Sequence, residues 1–224
     1  MLYKYLVGSF VAGVIFFSNP AAKASVTYNL SSGTVTDLIE SSVTDPTPLY
    51  GNPIMVGNSL TFSTGPLAAA QAGVGSDITA GQISFVIQAD PGLFIESVSL
   101  DEIGDFLMLG STAEVTAGGT LVATILDPLI GGFVSSPIVF DQTFPLTGTG
   151  SGIWAGSSTV VMVPNNVTRI RIDLDNVLIA SSNAPAHAAF LDKKALTVNA
   201  AFHTPEPASL ALVGIGFMAV LRRR

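Results

Sequence analysis

The chain of 224 residues contains no cysteine. Disulfides and thiolate zinc sites are therefore excluded, and any folded core must suffice alone. Positive charge is nearly as scarce. Of nine Lys and Arg residues, Lys4, Lys23 and Arg222 to Arg224 lie at the two ends, leaving Arg169, Arg171, Lys193 and Lys194 between Ser25 and Thr204. Fifteen of the sixteen acidic residues fall in that same stretch, so its four bases leave it at −11. Such a surface repels phosphate backbones and anionic membrane surfaces, which excludes nucleic acid as a partner. Charged residues make up only 11% of the chain, so the surface must be rich in Ser, Thr, Asn and Gly. Few side chains remain for acid–base chemistry. The two histidines, His187 and His203, read as solvated loop residues, without a neighbouring His to complete a His-rich metal site. No G-x-S-x-G element occurs, so a Ser–His–Asp triad has no local support. A catalytic role is not expected.

What is present is concentrated first at the ends. Lys4 precedes an apolar run from Leu6 to Phe17, and Asn19-Pro20 breaks it. Ala22-Lys23-Ala24 then places small residues at the −3 and −1 positions of a cleavage site. The pattern predicts a signal peptide over residues 1–24, handled by the Sec machinery and signal peptidase, with a mature chain starting at Ser25. At the other end, Pro205 and Pro207 disfavour helix around Glu206, so this tripeptide should be extended and accessible. An uncharged run from Ala208 to Leu221 follows, closed by Arg222, Arg223 and Arg224. As a helix it would be about 21 Å long against roughly 30 Å of hydrocarbon, short for a permanent span. The arginines should stay on the cytoplasmic side.

The order Pro205-Glu206-Pro207, apolar run, arginine stop resembles the PEP-CTERM protein-sorting signal of Gram-negative and related bacteria. The same tail pattern also goes by the label ice-binding protein C-terminal domain, which implies no ice binding. The resemblance covers about the last 20 of 224 residues. It implies a transient hold in the inner membrane by a short helix over 207–221, with residues 222–224 as the basic stop. It also implies recognition by an exosortase, a membrane protease or transpeptidase that cuts near the tripeptide. The destination would be the cell surface or extracellular matrix. The resemblance is silent on residues 25–204.

Between the ends, Gly, Pro, Asn and Asp clusters cut the chain into short alternating pieces. Strands are predicted over 25–30, 34–40, 59–63, 82–89, 94–100, 106–109, 113–116, 120–126, 137–144, 157–163, 167–179 and 188–198. Ile83, Phe85 and Ile87 oppose Gln82, Ser84, Val86 and Gln88; Ile170, Ile172 and Leu174 oppose Arg169, Arg171, Asp173 and Asp175. In 94–100, Phe94, Val98 and Leu100 share one face, with Glu96 as its blemish. Residues 44–58 read as a long loop, 67–72 as one helical turn, and Ala117-Gly118-Gly119 as a hairpin turn. Short strands, no convincing long helix and no 20–50-residue repeat predict an all-β antiparallel β-sandwich or jelly roll over 25–198, with a linker over 199–204.

Three features invite a site. Asp101, Glu102 and Asp105 form the acidic stretch DEIGD, read as a loop around Gly104. Clustered loop carboxylates suit Ca²⁺, although the full EF-hand pattern is missing and a solvated acidic turn is the plainer reading. Asp173 and Asp175 read as surface partners of Arg169 and Arg171. Trp154, the single tryptophan, is either a core residue or a platform for a sugar ring. The sequence thus supports a secreted, non-catalytic structural or adhesive β-domain. The second reading is a module binding extracellular polysaccharide or Ca²⁺, and the third a polysaccharide-acting enzyme, for which no carboxylate pair stands out.

Overall fold

A computed structural model describes residues 26–42, 50–64, 68–162 and 166–205. The signal-peptide features, including Ala22, Ala24 and Ser25, lie outside the described residues. So do Glu206, Pro207, the apolar run and Arg222 to Arg224. The described residues form strands and no helix. In order these are β1 (Tyr28–Asn29), β2 (Gly33–Ser42), β3 (Ile54–Val56), β4 (Ser59–Ser63), β5 (Ala68–Ala72), β6 (Gly75–Ala89) and β7 (Phe94–Leu109). They continue as β8 (Ala113–Ile125), β9 (Phe133–Pro137), β10 (Val139–Phe140), β11 (Leu146–Thr147), β12 (Gly150–Val161), β13 (Arg169–Ser182) and β14 (Ala188–His203).

The strands make two antiparallel seven-stranded sheets, consistent with a β-sandwich. In the first, the order is β1-β2-β6-β13-β8-β11, with β9 also on β8. In the second it is β10-β12-β7-β14-β4-β3, with β5 also on β14. The centre of the first sheet is regular: β13 pairs without a slip from Arg169↔Gln88 to Ser182↔Gly75, and from Ile170↔Ile125 to Ser182↔Ala113. An unbroken register preserves the two-residue side-chain period, so one face of β13 stays inward throughout. Ile170, Ile172, Leu174, Leu178 and Ala180 are buried on it. They meet Ile83, Phe85 and Ile87 of β6 and Ile95, Val98, Leu100, Leu191, Leu196 and Val198 of the second sheet in one core cluster. Each large apolar side chain so buried stabilises the fold by about 1.5–3 kcal/mol.

The second sheet is less regular, and its two irregularities matter. Opposite Ala201 and Phe202, Ser97 and Ile95 are the paired residues, so Glu96 is an extra residue in β7. The extra residue resets the alternation. Ile95 therefore joins the core and Glu96 points out, correcting the face assigned to Phe94 and Glu96 from sequence. Between Lys193 and Ala195 the register shifts again, making Lys194 the extra residue in β14. Lys193 is thereby left inside and Lys194 outside.

Other expectations also change. Residues 68–72 are a strand, because they pair with Ala188–Asp192 of β14, overriding an alanine-rich local preference. The loop expected over 44–58 includes β3, which pairs with β4. Ala117-Gly118-Gly119 is no turn: β8 runs straight through it, paired with Leu178, Val177 and Asn176. A Cβ on Gly119 would sit 2.5 Å from Ile138 Cδ1 and 2.7 Å from the Asp175 carbonyl oxygen, so the glycine provides clearance. DEIGD is the middle of β7 and not a loop. The segment 199–204, read as a linker, is strand as far as His203.

Candidate functional site

Strand parity places three polar residues where apolar ones are expected. Glu102 follows Leu100 on the inner face of β7, Asn176 follows Leu174 on the inner face of β13, and Lys193 follows Leu191 on the inner face of β14. The side chains of Lys193 and Glu102 are both 0% exposed, and Asn176 is 4% exposed. They converge between the sheets. Lys193 Nζ donates to Glu102 Oε2 and, at 2.5 Å, to Asn176 Oδ1. Asn176 Nδ2 donates to the Tyr50 hydroxyl at 3.0 Å. Tyr50 is buried and packs edge-on to Phe62 at 6.2 Å between ring centroids.

The surroundings are apolar on the remaining sides. Trp154 sits with its ring centroid 6.0 Å from Lys193 Nζ, close enough for a cation–π attraction. Phe140 and Phe144 meet the indole in T-shaped contacts at 5.8 and 6.3 Å. Gly104 pairs with both Lys193 and Trp154 across the sheet. A side chain there would meet Trp154 Cζ2 at 2.5 Å and the Asp192 carbonyl oxygen more closely still. The Lys193 carbonyl oxygen accepts from buried Thr64 Oγ1 at 2.6 Å. Glu102 Oε1 and Trp154 Nε1 are buried without a hydrogen-bond partner among the described residues.

Burial disfavours charge at this site. It lowers the Lys193 ammonium pKa below its ordinary value, with the adjacent Glu102 carboxylate opposing. Burial also raises the Tyr50 phenol well above its ordinary value; the Asn176 hydrogen bond opposes this, and the charges of Glu102 and Glu40 add to it. Tyr50 thus stays protonated in the folded state while an unfolded tyrosine ionises near pH 10. Above about pH 10 the unfolded chain binds fewer protons, so stability falls with a slope approaching 1.4 kcal/mol per pH unit from this group. Thermal midpoints of the protein and of Tyr50→Phe, compared between about pH 8 and 11, should keep a constant separation below about pH 10, and the wild-type midpoint should fall relative to that of the variant above it. Parallel curves would contradict the buried phenol.

The residues singled out from sequence fall differently. Asp101 and Asp105 occupy the outer face of β7, whereas Glu102 points the other way, so the three DEIGD carboxylates do not gather. Asp101 Oδ2 accepts from Asn199 Nδ2 at 3.3 Å, and Asp105 pairs with Lys194 at 3.4 Å. Lys194 also pairs with Asp192. Among the described residues, no group of three or more acidic or histidine side chains is placed to hold a metal. Trp154 is 1% exposed, so the sugar-platform alternative gives way to the core one. Asp173 pairs with Arg171 at 2.9 Å on the surface. His187 lies against Thr112, whose hydroxyl is 2.7 Å from Nδ1, and His203 ends β14 beside Phe94. Sequence reasoning misses Lys193, Asn176 and Tyr50. For the first two, the signal is a lysine and an asparagine in phase with the core residues of their strands.

The last strand leads directly into the C-terminal segment, where residues 203–224 match the family model of the PEP-CTERM protein-sorting motif. The chain carries a PEP-CTERM tail. That tail implies processing by an exosortase-like membrane enzyme and delivery to the cell surface or extracellular space. The PEP-CTERM model covers only this end and leaves the sandwich unassigned. No curated protein matches the chain. Two solved structures are similar in part. One is TmCBM61, solved in complex with β-1,4-galactotriose, at 8% identity and a TM-score of 0.28, with 75% of this chain and 88% of that one covered. The other is the enzymatically active domain of bacteriophage CBA120 tailspike protein 4, at 17% identity and a TM-score of 0.21, with 75% of this chain and 19% of that one covered.

Proposed function

We propose that the mature region is a non-catalytic structural or adhesive β-sandwich, carried through the envelope by its signal peptide and its PEP-CTERM tail to the cell surface or extracellular matrix. In this reading Pro205, Glu206 and Pro207 are recognised by the exosortase, 208–221 holds the bilayer for the time processing takes, and Arg222 to Arg224 stop translocation. The observation that carries it is the motif over 203–224, joined without a spacer to the last strand of the sandwich. The non-catalytic part rests on access. The described site with the most concentrated reactive chemistry is sealed, with Lys193 and Glu102 both wholly buried. Two clefts at the surface of the second sheet, among the described residues, are small, about 210 Å³ beside Leu107 and Phe190 and about 180 Å³ beside Ile153 and Lys194. Ligand pockets more often reach about 300–1,000 Å³.

Glu206→Ala in the native host tests the sorting role. The variant is expected to accumulate in the inner-membrane fraction and to vanish from the surface fraction. Surface delivery at the normal level would overturn the assignment of Pro205-Glu206-Pro207.

A further inference from the structure

A buried lysine touching both a carboxylate and a carboxamide is a poor structural device. Two charges taken out of water cost several kcal/mol each, and here one carboxylate oxygen has no hydrogen-bond partner among the described residues. The same three groups are, however, a complete set for one covalent reaction. From this geometry we propose that Lys193 and Asn176 condense into an intramolecular amide bond, formed by the folded chain itself with Glu102 carrying the protons. The inference stands independently of how the protein is sorted.

The reacting atoms are already adjacent. Nζ lies 2.5 Å from Asn176 Oδ1, and a carbonyl bond is about 1.23 Å, so Asn176 Cγ can be no farther than about 3.7 Å from Nζ. Reacting atoms in near-attack arrangements sit about 3–3.5 Å apart, and such placement replaces a bimolecular encounter with an intramolecular one. Desolvation favours the neutral, nucleophilic amine. The carboxamide is oriented by its Nδ2 bond to Tyr50, which turns Oδ1 toward the lysine. It has room because its neighbours across the strands are Gly81 and Gly119, and a Cβ on Gly119 would come 3.0 Å from Asn176 Oδ1.

The steps balance without an external reagent. Glu102 Oε2 takes one proton from the Lys193 ammonium. The freed amine attacks Asn176 Cγ, forming the N–C bond as the carbonyl electron pair moves to Oδ1. Glu102 delivers its proton to Nδ2 and removes a second from the attacking nitrogen. Collapse of the intermediate restores the carbonyl, breaks the Cγ–Nδ2 bond and releases ammonia. One amine and one carboxamide become one secondary amide and one ammonia, and the proton left over stays on Glu102. Glu102 is the catalytic residue and Tyr50 the positioning residue. The product carries no charge that must be desolvated, and the dry site protects it from hydrolysis. It joins β13 of one sheet to β14 of the other.

Intact-mass measurement of the purified, denatured protein tests this. The mass should fall below that of the same processed chain by one ammonia, in essentially all molecules. Trypsin should fail to cut after Lys193. Chymotryptic cleavage after Leu178 and Phe190 should then leave a branched peptide holding Asn176 and Lys193. Glu102→Gln should keep the ammonia and lose the branch. A full sequence mass in the wild-type protein would overturn the proposal. So would ammonia loss without the branched peptide, which would mean cyclisation of Asn176 onto its own backbone. Neither outcome depends on whether the variant folds.

Discussion

Glu102→Ala is expected to remove about 3–5 kcal/mol of stability or more, because without Glu102 the amide to Asn176 does not form and Lys193 is left as a buried charge without its partner. Among the described residues, no other acidic side chain pairs with Lys193 Nζ: its other close polar neighbour is the Asn176 carboxamide, and Trp154 with its aromatic surround lies beside it. The alanine also leaves a cavity between the sheets, which adds to the cost. Asp101→Ala, one residue earlier on the exposed face, should change stability by no more than about 0.5 kcal/mol. Urea midpoints of the two variants decide the matter. A Glu102→Ala midpoint close to that of Asp101→Ala would mean that the inner-face position is wrong.

Gly104→Val should be at least as damaging, costing about 3 kcal/mol or more through overpacking that no rotamer relieves. The obstruction is partly backbone, the Asp192 carbonyl oxygen, and partly the indole ring, itself locked by Phe140 and Phe144. Backbone cannot step aside without breaking the β7–β14 ladder. Gly92→Ala is the informative control. Gly92 has φ +86, and a methyl group there would have nothing within 4 Å, so only left-handed backbone strain of about 1–2 kcal/mol applies. The near-UV circular dichroism of Trp154, the single tryptophan, reports the outcome. A Gly104→Val protein with an unaltered tryptophan band and midpoint would refute the clearance role.

The alternating pattern made the sandwich legible. Val, Ile, Leu and Phe at every second position of 82–89 and 167–179 identified β6 and β13 and their buried faces. The lengths of β7 and β8 were not legible, because glycine and acidic residues look like turn punctuation in a sequence. Gly104 and Gly119 serve close approach across a sheet instead, a distinction that depends on residues far away in the chain. The sorting tail was legible because its signal is local and contiguous. The buried cluster was not, since Tyr50, Glu102, Asn176 and Lys193 come from separate segments and two bulges shift the phase. In DEIGD the local reading favoured a solvated group, while parity sends the middle carboxylate inward. A lysine in phase with Leu191 was the available clue.

β14 lies in the interior of its sheet, flanked by β7 on one side and by β4 and β5 on the other, and its final residue begins the sorting segment. A tether attached through that end would pull this strand along its own axis. Tension would then load both ladders in shear, many hydrogen bonds at once, instead of peeling an edge strand open bond by bond. A strand held on both sides in this way would resist such tension better than an edge strand would.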